Sequence, residues 1–136
     1  MTMNWHELAL NPEALENLYE TVPPLDRIRV FSLRLGDRGE LCLRLDLPVF
    51  PDRPPRRWPR EANTAQLVLT FWEVRNYTGR GWTNGGRAAL GITRADGSLR
   101  VALDGIDEDF RHDFAAGFFR IDGVEAYRND EGADNR

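Results

Sequence analysis

The stretch of sequence that decides the fold is residues 41–58, LCLRLDLPVFPDRPPRRW. One face of its first half carries only leucine: Leu41, Leu43, Leu45 and Leu47. Small or polar side chains occupy the other face: Cys42, Arg44 and Asp46. An apolar residue at every second position is typical of a strand buried on one face. The sequence therefore predicts a sheet strand, followed by a proline and arginine loop that ends at Trp58.

Length and composition limit the class of protein. A chain of 136 residues has the size of one ordinary domain, so we assign residues 1–128 to a single globular domain and the polar stretch 129–136 to a disordered tail. One cysteine, Cys42, cannot form a disulfide within the chain. The net charge of −4, with arginine at all 18 basic positions, argues against a general nucleic-acid binder. Because no long apolar run and no leader are present, we expect a cytoplasmic protein with no membrane partner.

Turn residues divide the chain into one helix and a series of strands. Asn11 and Pro12 begin a helix whose apolar stripe ends before Pro23. The strand at 66–77 is apolar on both faces, which predicts a central position covered on both sides. The other predicted strands cover residues 27–35, 41–47, 87–94, 99–103, 109–114, 118–121 and 124–127.

Seven or eight short strands with one helix predict a mainly β (α+β) fold. Such a series, with turn residues at regular spacing, is typical of an antiparallel sheet that curls as a sandwich or half-barrel. The N-terminal helix is expected to lie against this sheet, whose strand order the sequence leaves open.

Residues 104–113, DGIDEDFRHD, form an acidic run. Its carboxylates are those of Asp104, Asp107, Glu108, Asp109 and Asp113. The run lacks the ligand register of a calcium loop, and the chain has too few histidines and cysteines for a zinc site. His112 alternates with Phe110 and Phe114, which favours a hydrogen-bonded histidine at the edge of the core. We interpret the acidic run as a negative surface for a basic partner.

Two further segments carry residue types that are common at interfaces. Arginine and tryptophan are enriched among binding hot spots, and both occur in the loop at 51–60. The residues concerned are Arg53, Arg56, Arg57 and Trp58. Either this loop binds a partner, or it is a crossover in which Trp58 plugs the sheet edge and the arginines are solvated. Residues 79–86, GRGWTNGG, lack the lysine of a phosphate-binding loop, so we expect a turn there with Trp82 partly exposed.

The sequence offers no set of catalytic residues. No nucleophile can be placed beside an activating base, and acids on a β surface need a pocket before they imply acid–base chemistry. We therefore expect no enzyme activity and no metal site.

Several of these residues resemble the Immunity protein 50 family. The resemblance lies before Ile92 and is densest at residues 43–58, in the combination LRLDLP, PD, PP and W. Further matching positions are Trp5, Asn11, Pro12, Leu18, Tyr19, Pro23, Pro24, Leu25, Gln66, Phe71, Gly81 and Trp82. The resemblance implies a bacterial protein of a polymorphic-toxin system that binds a cognate toxin domain and neutralises it by occlusion, without catalysis or cofactor. It leaves the toxin, the mode of inhibition and the oligomeric state open.

Two other classes of function stay open. A β-rich ligand-binding or protein-interaction module of unknown partner would have a small-molecule pocket, with the region around Trp82 as its first candidate. A hydrolase or metal enzyme would have carboxylates that converge on His112 in a cleft.

Overall fold

The computed structural model describes residues 4–130, and in that part of the chain eight antiparallel strands form a single sheet. The strands are β1 Ile28–Leu35, β2 Leu41–Asp46, β3 Thr64–Trp72, β4 Arg75–Arg80, β5 Gly86–Ala95, β6 Ser98–Gly105, β7 Arg111–Ala116 and β8 Phe118–Tyr127. Their order across the sheet is β4-β7-β6-β5-β1-β2-β3-β8. The predicted mainly β fold is confirmed, and the sheet is not closed into a barrel. The tail predicted at 129–136 lies almost entirely outside the described residues.

The leucine face predicted for β2 is confirmed as the inner face of the sheet. Leu41, Leu43 and Leu45 are at most 1% exposed. On β3, Phe71 packs against Phe114 of β7 and Phe119 of β8, with ring centroids 5.2 Å away in both cases. Because β3 and β7 are distant in the strand order, this contact requires the sheet to curl around one core, as a half-barrel.

A bent two-stranded ribbon connects the two ends of the sheet. Only Glu73 and Val74 separate β3 from β4, and only Gly117 separates β7 from β8. Pairing continues on both sides of the bend, β3 with β8 and β4 with β7. The single strand predicted at 66–77 is therefore wrong in its extent, because Glu73 adopts a positive φ of 58° and turns the chain. At the same corner the Gly117 N–H donates to the Trp72 carbonyl at 2.9 Å.

The position predicted for the third strand is also wrong. β3 is adjacent to the edge strand β8 rather than central. On its outer face Val68 and Trp72 are only half-buried, and Trp72 stacks on Phe118 of β8 at 6.5 Å. The two short strands predicted at the end of the domain are one strand, β8, because a bulge opposite β3 absorbs the Asp122–Gly123 region without ending the pairing.

The predicted N-terminal helix is reduced to a single turn, α1 Glu13–Glu16, which follows a 3₁₀ turn at Trp5–Leu8. The chain does not continue as a helix beyond Glu16, and Arg53 binds carbonyls at and after this point. The Arg53 guanidinium donates to the carbonyls of Glu16, Asn17 and Tyr19 at 2.8–3.3 Å. These carbonyls would accept from the next turn if the helix continued. Within residues 4–130, neither helical segment has the length and apolarity to cross a bilayer.

The segment before α1 covers the outer edge of β8. The Asn11 side-chain amide donates to the Ile121 carbonyl at 2.8 Å and accepts from the Ile121 N–H at 2.9 Å. The Leu10 N–H also donates to the Phe119 carbonyl at 2.9 Å. One side-chain amide thus replaces a neighbouring strand at Ile121, which protects an edge that would otherwise offer unpaired backbone groups to another chain.

Replacing Asn11 with alanine should lower the free energy of unfolding by about 1–3 kcal/mol, because it leaves the partly buried N–H and carbonyl of Ile121 without partners. Urea denaturation followed by tryptophan fluorescence measures the change. The control is Asn17→Ala, at an exposed asparagine at the end of α1, which should stay within about 0.5 kcal/mol of wild type. Equal losses in the two variants would show that the edge contact does not stabilise the fold.

Candidate partner-binding surfaces

The fold brings Trp82 next to part of the acidic run. Because β4 pairs with β7, the loop after β4 packs on the residues that precede β7. The Trp82 ring lies 6.2 Å from that of Phe110 and 5.5 Å from that of His112. Trp82 is 43% exposed, as predicted. We call Trp82 with Asp107, Glu108 and Asp109 the Trp82 surface.

His112 fixes the position of the loop that carries Trp82. Its side chain is buried, and its Nε2 lies 2.7 Å from the Gly81 carbonyl oxygen. A carbonyl can only accept, so Nε2 carries the proton and Nδ1 accepts from the Tyr77 hydroxyl at 2.5 Å. Burial raises the pKa of Tyr77, which keeps that hydroxyl a donor. The prediction of a hydrogen-bonded histidine at the edge of the core is confirmed.

Glycine allows the close approach between this loop and the acidic run. Gly81 has a φ of 74°, and a Cβ at this position would lie 2.7 Å from the Asp109 carbonyl oxygen. The turn expected in the second half of the segment is present, with Gly85 at a φ of 84°. The first half differs from the prediction, because β4 extends to Arg80.

Most carboxylates of the acidic run are paired with arginines, with Arg80 and Arg87 from neighbouring strands and with Arg111 from the run itself. Arg80 binds Asp109 and Arg87 binds Asp107, each at 2.5 Å. Arg111 binds Asp104 at 2.5 Å and Asp113 at 3.1 Å, and these hydrogen bonds and charges raise the pKa of Arg111. The surface is therefore one of alternating charge, and exposed ion pairs of this kind contribute little to stability. Sequence reasoning missed Arg80 and Arg87, because their partners are adjacent only in the folded sheet, whereas Arg111 lies within the run itself, two residues from Asp113.

The arginine loop lies elsewhere, against α1 and β8. Trp58 is 8% exposed, and its ring centroid lies 5.8 Å from that of Phe50. This favours the interpretation that Trp58 has a structural role at the sheet edge. Arg53 is held by the carbonyls at the end of α1, as described above. Arg56 and Arg57 are exposed. The structure thus brings Trp82 and the acidic run together and keeps the arginine loop apart from them.

The metal and hydrolase interpretations find no support in the geometry of the described chain. Among residues 4–130, no three histidine, cysteine, aspartate or glutamate side chains are grouped so that they could hold a metal ion. His112 uses both ring nitrogens in hydrogen bonds within the fold. In the described part of the chain, no carboxylate is hydrogen-bonded to or ion-paired with His112.

One carboxyl group outside these surfaces is buried. Asp46, at the end of β2, is 4% exposed and accepts hydrogen bonds from Tyr127 and Gln66. Burial raises its pKa, against the opposing effects of these hydrogen bonds and of Arg29 and Arg44. The folded protein therefore holds a proton at pH values where the unfolded chain has released it.

Asp46 should make the protein less stable as the pH rises. The folded state binds more protons than the unfolded state between the ordinary pKa of 3.8 and the raised one, so the free energy of unfolding falls across that window and stays reduced above it. Asp46→Asn should remove this decrease of stability with pH, because asparagine does not titrate. The variant should also be more stable than wild type at neutral pH, because asparagine still offers Tyr127 an acceptor. Urea titrations at a series of pH values measure the difference. The control is Asp37→Asn, in the exposed turn after β1, whose free energy of unfolding should depend on pH as that of wild type does. If Asp46→Asn leaves this pH dependence unchanged, Asp46 is not its cause.

Comparison with known proteins identifies one family. The sequence pattern of that family, Immunity protein 50, matches residues 11–127, which extends the resemblance well beyond Ile92. Searches of curated proteins and of solved structures find no match. Because the matched segment includes all eight strands and α1, the chain belongs to the Immunity protein 50 family.

Proposed function

We propose that this protein binds the domain of a cognate polymorphic toxin and neutralises it by occlusion, without catalysis and without a cofactor. The observation that carries the proposal is the Trp82 surface, in which an exposed tryptophan stands on a loop held by a partly buried hydrogen bond from His112 to the Gly81 carbonyl. Membership of an immunity-protein family supports the role. We place the protein in the cytoplasm of the bacterium that produces the toxin.

The rigidity of the Trp82 loop favours protein binding. Association is opposed by the entropy lost when flexible groups become ordered, so a side chain held in place beforehand loses less. Tryptophan is also the residue type most enriched at hot spots, where a rim of polar groups excludes water around it. The ion pairs of Arg80 and Arg87 with the acidic run supply such a rim.

The charges around Trp82 favour selection of one partner. Their alternating signs require a matching pattern on the partner, since like charges brought face to face cost free energy. Glu108 is exposed and forms no ion pair within residues 4–130. It is the carboxylate of this surface that is most available to a basic group on the toxin.

The hydrogen bonds of His112 support a role without catalysis. A general base needs a nitrogen that is open to substrate, and both nitrogens of His112 serve the fold. Inhibition by occlusion requires only shape and charge complementarity, which an immobile surface provides.

The test is a rescue experiment in a bacterial host. The toxin domain encoded beside this gene is expressed with and without the protein, and the pair is then co-purified. Survival together with a stable complex supports the proposal. Death of the host, with folded protein present and no complex, would exclude that pairing and favour the ligand-binding alternative. Survival without a complex would contradict occlusion.

A further inference from the structure

Two clefts flank Trp58 on the face formed by the arginine loop. The first, of about 490 Å³, has Phe50, Trp58 and three prolines as its apolar lining and Arg56 and Arg60 as its charged residues. The second, of about 570 Å³, lies between the loop, α1 and β8 and includes Arg57. We call the two together the Trp58 clefts. Trp58 contributes to both.

The arginines of the Trp58 clefts differ from those of the Trp82 surface. Arg56, Arg57 and Arg60 are exposed, and none of them forms an ion pair with an acid in the part of the chain that the structure describes. By contrast, Arg80, Arg87 and Arg111 are paired with carboxylates. On a protein with a net charge of −4, the loop at 56–60 therefore carries three positive charges without an ion pair among the described residues. The one acid that lines the second cleft, Asp122, is paired with Arg120.

Trp58 provides a second, independent observation. Its side chain is more than nine-tenths buried, yet its Nε1–H is one of two buried side-chain groups among residues 4–130 without a hydrogen-bond partner. Buried donors in native proteins nearly always have an acceptor, and leaving one without costs free energy. An acceptor supplied by a bound molecule would remove this cost.

We propose that the Trp58 clefts bind a peptide segment that carries carboxylates, at a site separate from the Trp82 surface. Arg56, Arg57 and Arg60 bind its carboxylates, for which the planar guanidinium is the best-matched cation. The proline and aromatic lining takes an apolar side chain between them. The Trp58 Nε1 atom has almost no exposed surface in the free protein, so the wall of the cleft must shift on binding before this N–H can donate to a carbonyl oxygen of the peptide.

The chemistry of the clefts favours a peptide over a nucleic acid. Binding of single strands depends on exposed aromatic rings on which the bases stack, and Trp58 is buried. It also depends on a positive face that follows many phosphates, whereas the clefts are lined by five arginines, of which Arg53 and Arg120 are already bound within the fold. The apolar lining instead matches leucine-like side chains between acids.

The test is an NMR titration of the whole ¹⁵N-labelled protein with three probes. The first is a blocked peptide of alternating leucine and aspartate, the second is its leucine and asparagine counterpart, and the third is single-stranded oligothymidine. The aspartate peptide should move the Trp58 indole N–H signal and the Arg56, Arg57 and Arg60 side-chain signals, with binding that weakens as salt is added. Shifts of equal size with the asparagine peptide, or tighter binding of oligothymidine, would overturn the proposal. No toxin is needed, so the result is independent of the proposed function.

A charge-matched pair of variants completes the test. Arg56→Gln/Arg57→Gln/Arg60→Gln should weaken binding of the aspartate peptide about tenfold, as expected for the loss of three exposed ion pairs. The control, Arg34→Gln/Arg38→Gln/Arg94→Gln, removes the same charge from three exposed arginines elsewhere and should change binding less than about twofold. If both triple variants lose the same affinity for the aspartate peptide, the attraction depends on net charge alone and the proposed site is wrong.

Discussion

Replacing Phe71 with alanine should lower the free energy of unfolding by about 3–5 kcal/mol, the cost of removing a buried phenylalanine and leaving a cavity. Phe71 is fully buried, and its ring connects β7 and β8 across the inside of the curled sheet. The loss therefore falls on the contact that holds the two halves of the sheet around one core. Urea denaturation measures this loss, and the dependence of the free energy of unfolding on urea concentration is compared between variant and wild type.

The control for Phe71→Ala is Phe118→Ala. Phe118 is half-buried on the outer face, where it stacks on Trp72, so its truncation should cost about 1–2 kcal/mol. Since small domains have about 5–15 kcal/mol of stability in total, only the Phe71 variant should lose a large share of its folded population at 37 °C. Equal costs would mean that contacts across the sheet interior do not dominate the core.

Replacing Trp82 with alanine should weaken binding of the toxin domain by about 2 kcal/mol or more, roughly thirtyfold in Kd, as for a central tryptophan of an interface. Calorimetric titration of the purified complex measures the affinity. Because Trp82 is 43% exposed and its loop is held by the Gly81 carbonyl, the stability of the free protein should change by only about 1 kcal/mol.

The control for Trp82→Ala is Leu35→Ala. Leu35 is 52% exposed at the end of β1 and tests whether the loss of any exposed apolar side chain weakens the complex. Its affinity should equal that of wild type. If Trp82→Ala binds as tightly as wild type while remaining folded, the Trp82 surface is not the interface.

The sequence predicted those strands and turns whose conformation depends on neighbouring residues in the chain. The leucine face of β2 follows from alternation alone. The turn at Asp96–Gly97 adopts positive φ at both residues, the conformation that aspartate and glycine favour between paired strands. The contacts at the end of α1 were not predictable, because Arg53, which binds the carbonyls there, lies far along the chain. The break at Glu73 was missed for a different reason, because apolar residues continue on both sides of it and hide the turn in the pattern.

For the candidate surfaces, too, the sequence predicted the residue types and the fold was needed to show which residues are neighbours. The interface residue types of the acidic run and of the arginine loop are visible in the sequence. That Trp82 lies beside the acidic run, and that Arg80 pairs with Asp109, follows from the pairing of β4 with β7. The ion pairs of Arg87 with Asp107 and of Arg111 with Asp104 follow from the pairing of β5, β6 and β7. The contribution of Arg60 also emerged only from the shape of the cleft beside Trp58.

The hydrogen bonds between Asn11 and Ile121 have a consequence for folding kinetics. They join residues 110 positions apart in the chain, and β3 pairs with β8, the last strand to be synthesised. Contacts between distant segments slow folding, because the chain must close a long loop before the contact forms. During translation, the edge of β3 stays unpaired until the ribosome has released β8. The nascent chain therefore exposes this unpaired edge until all of β8 has left the ribosome.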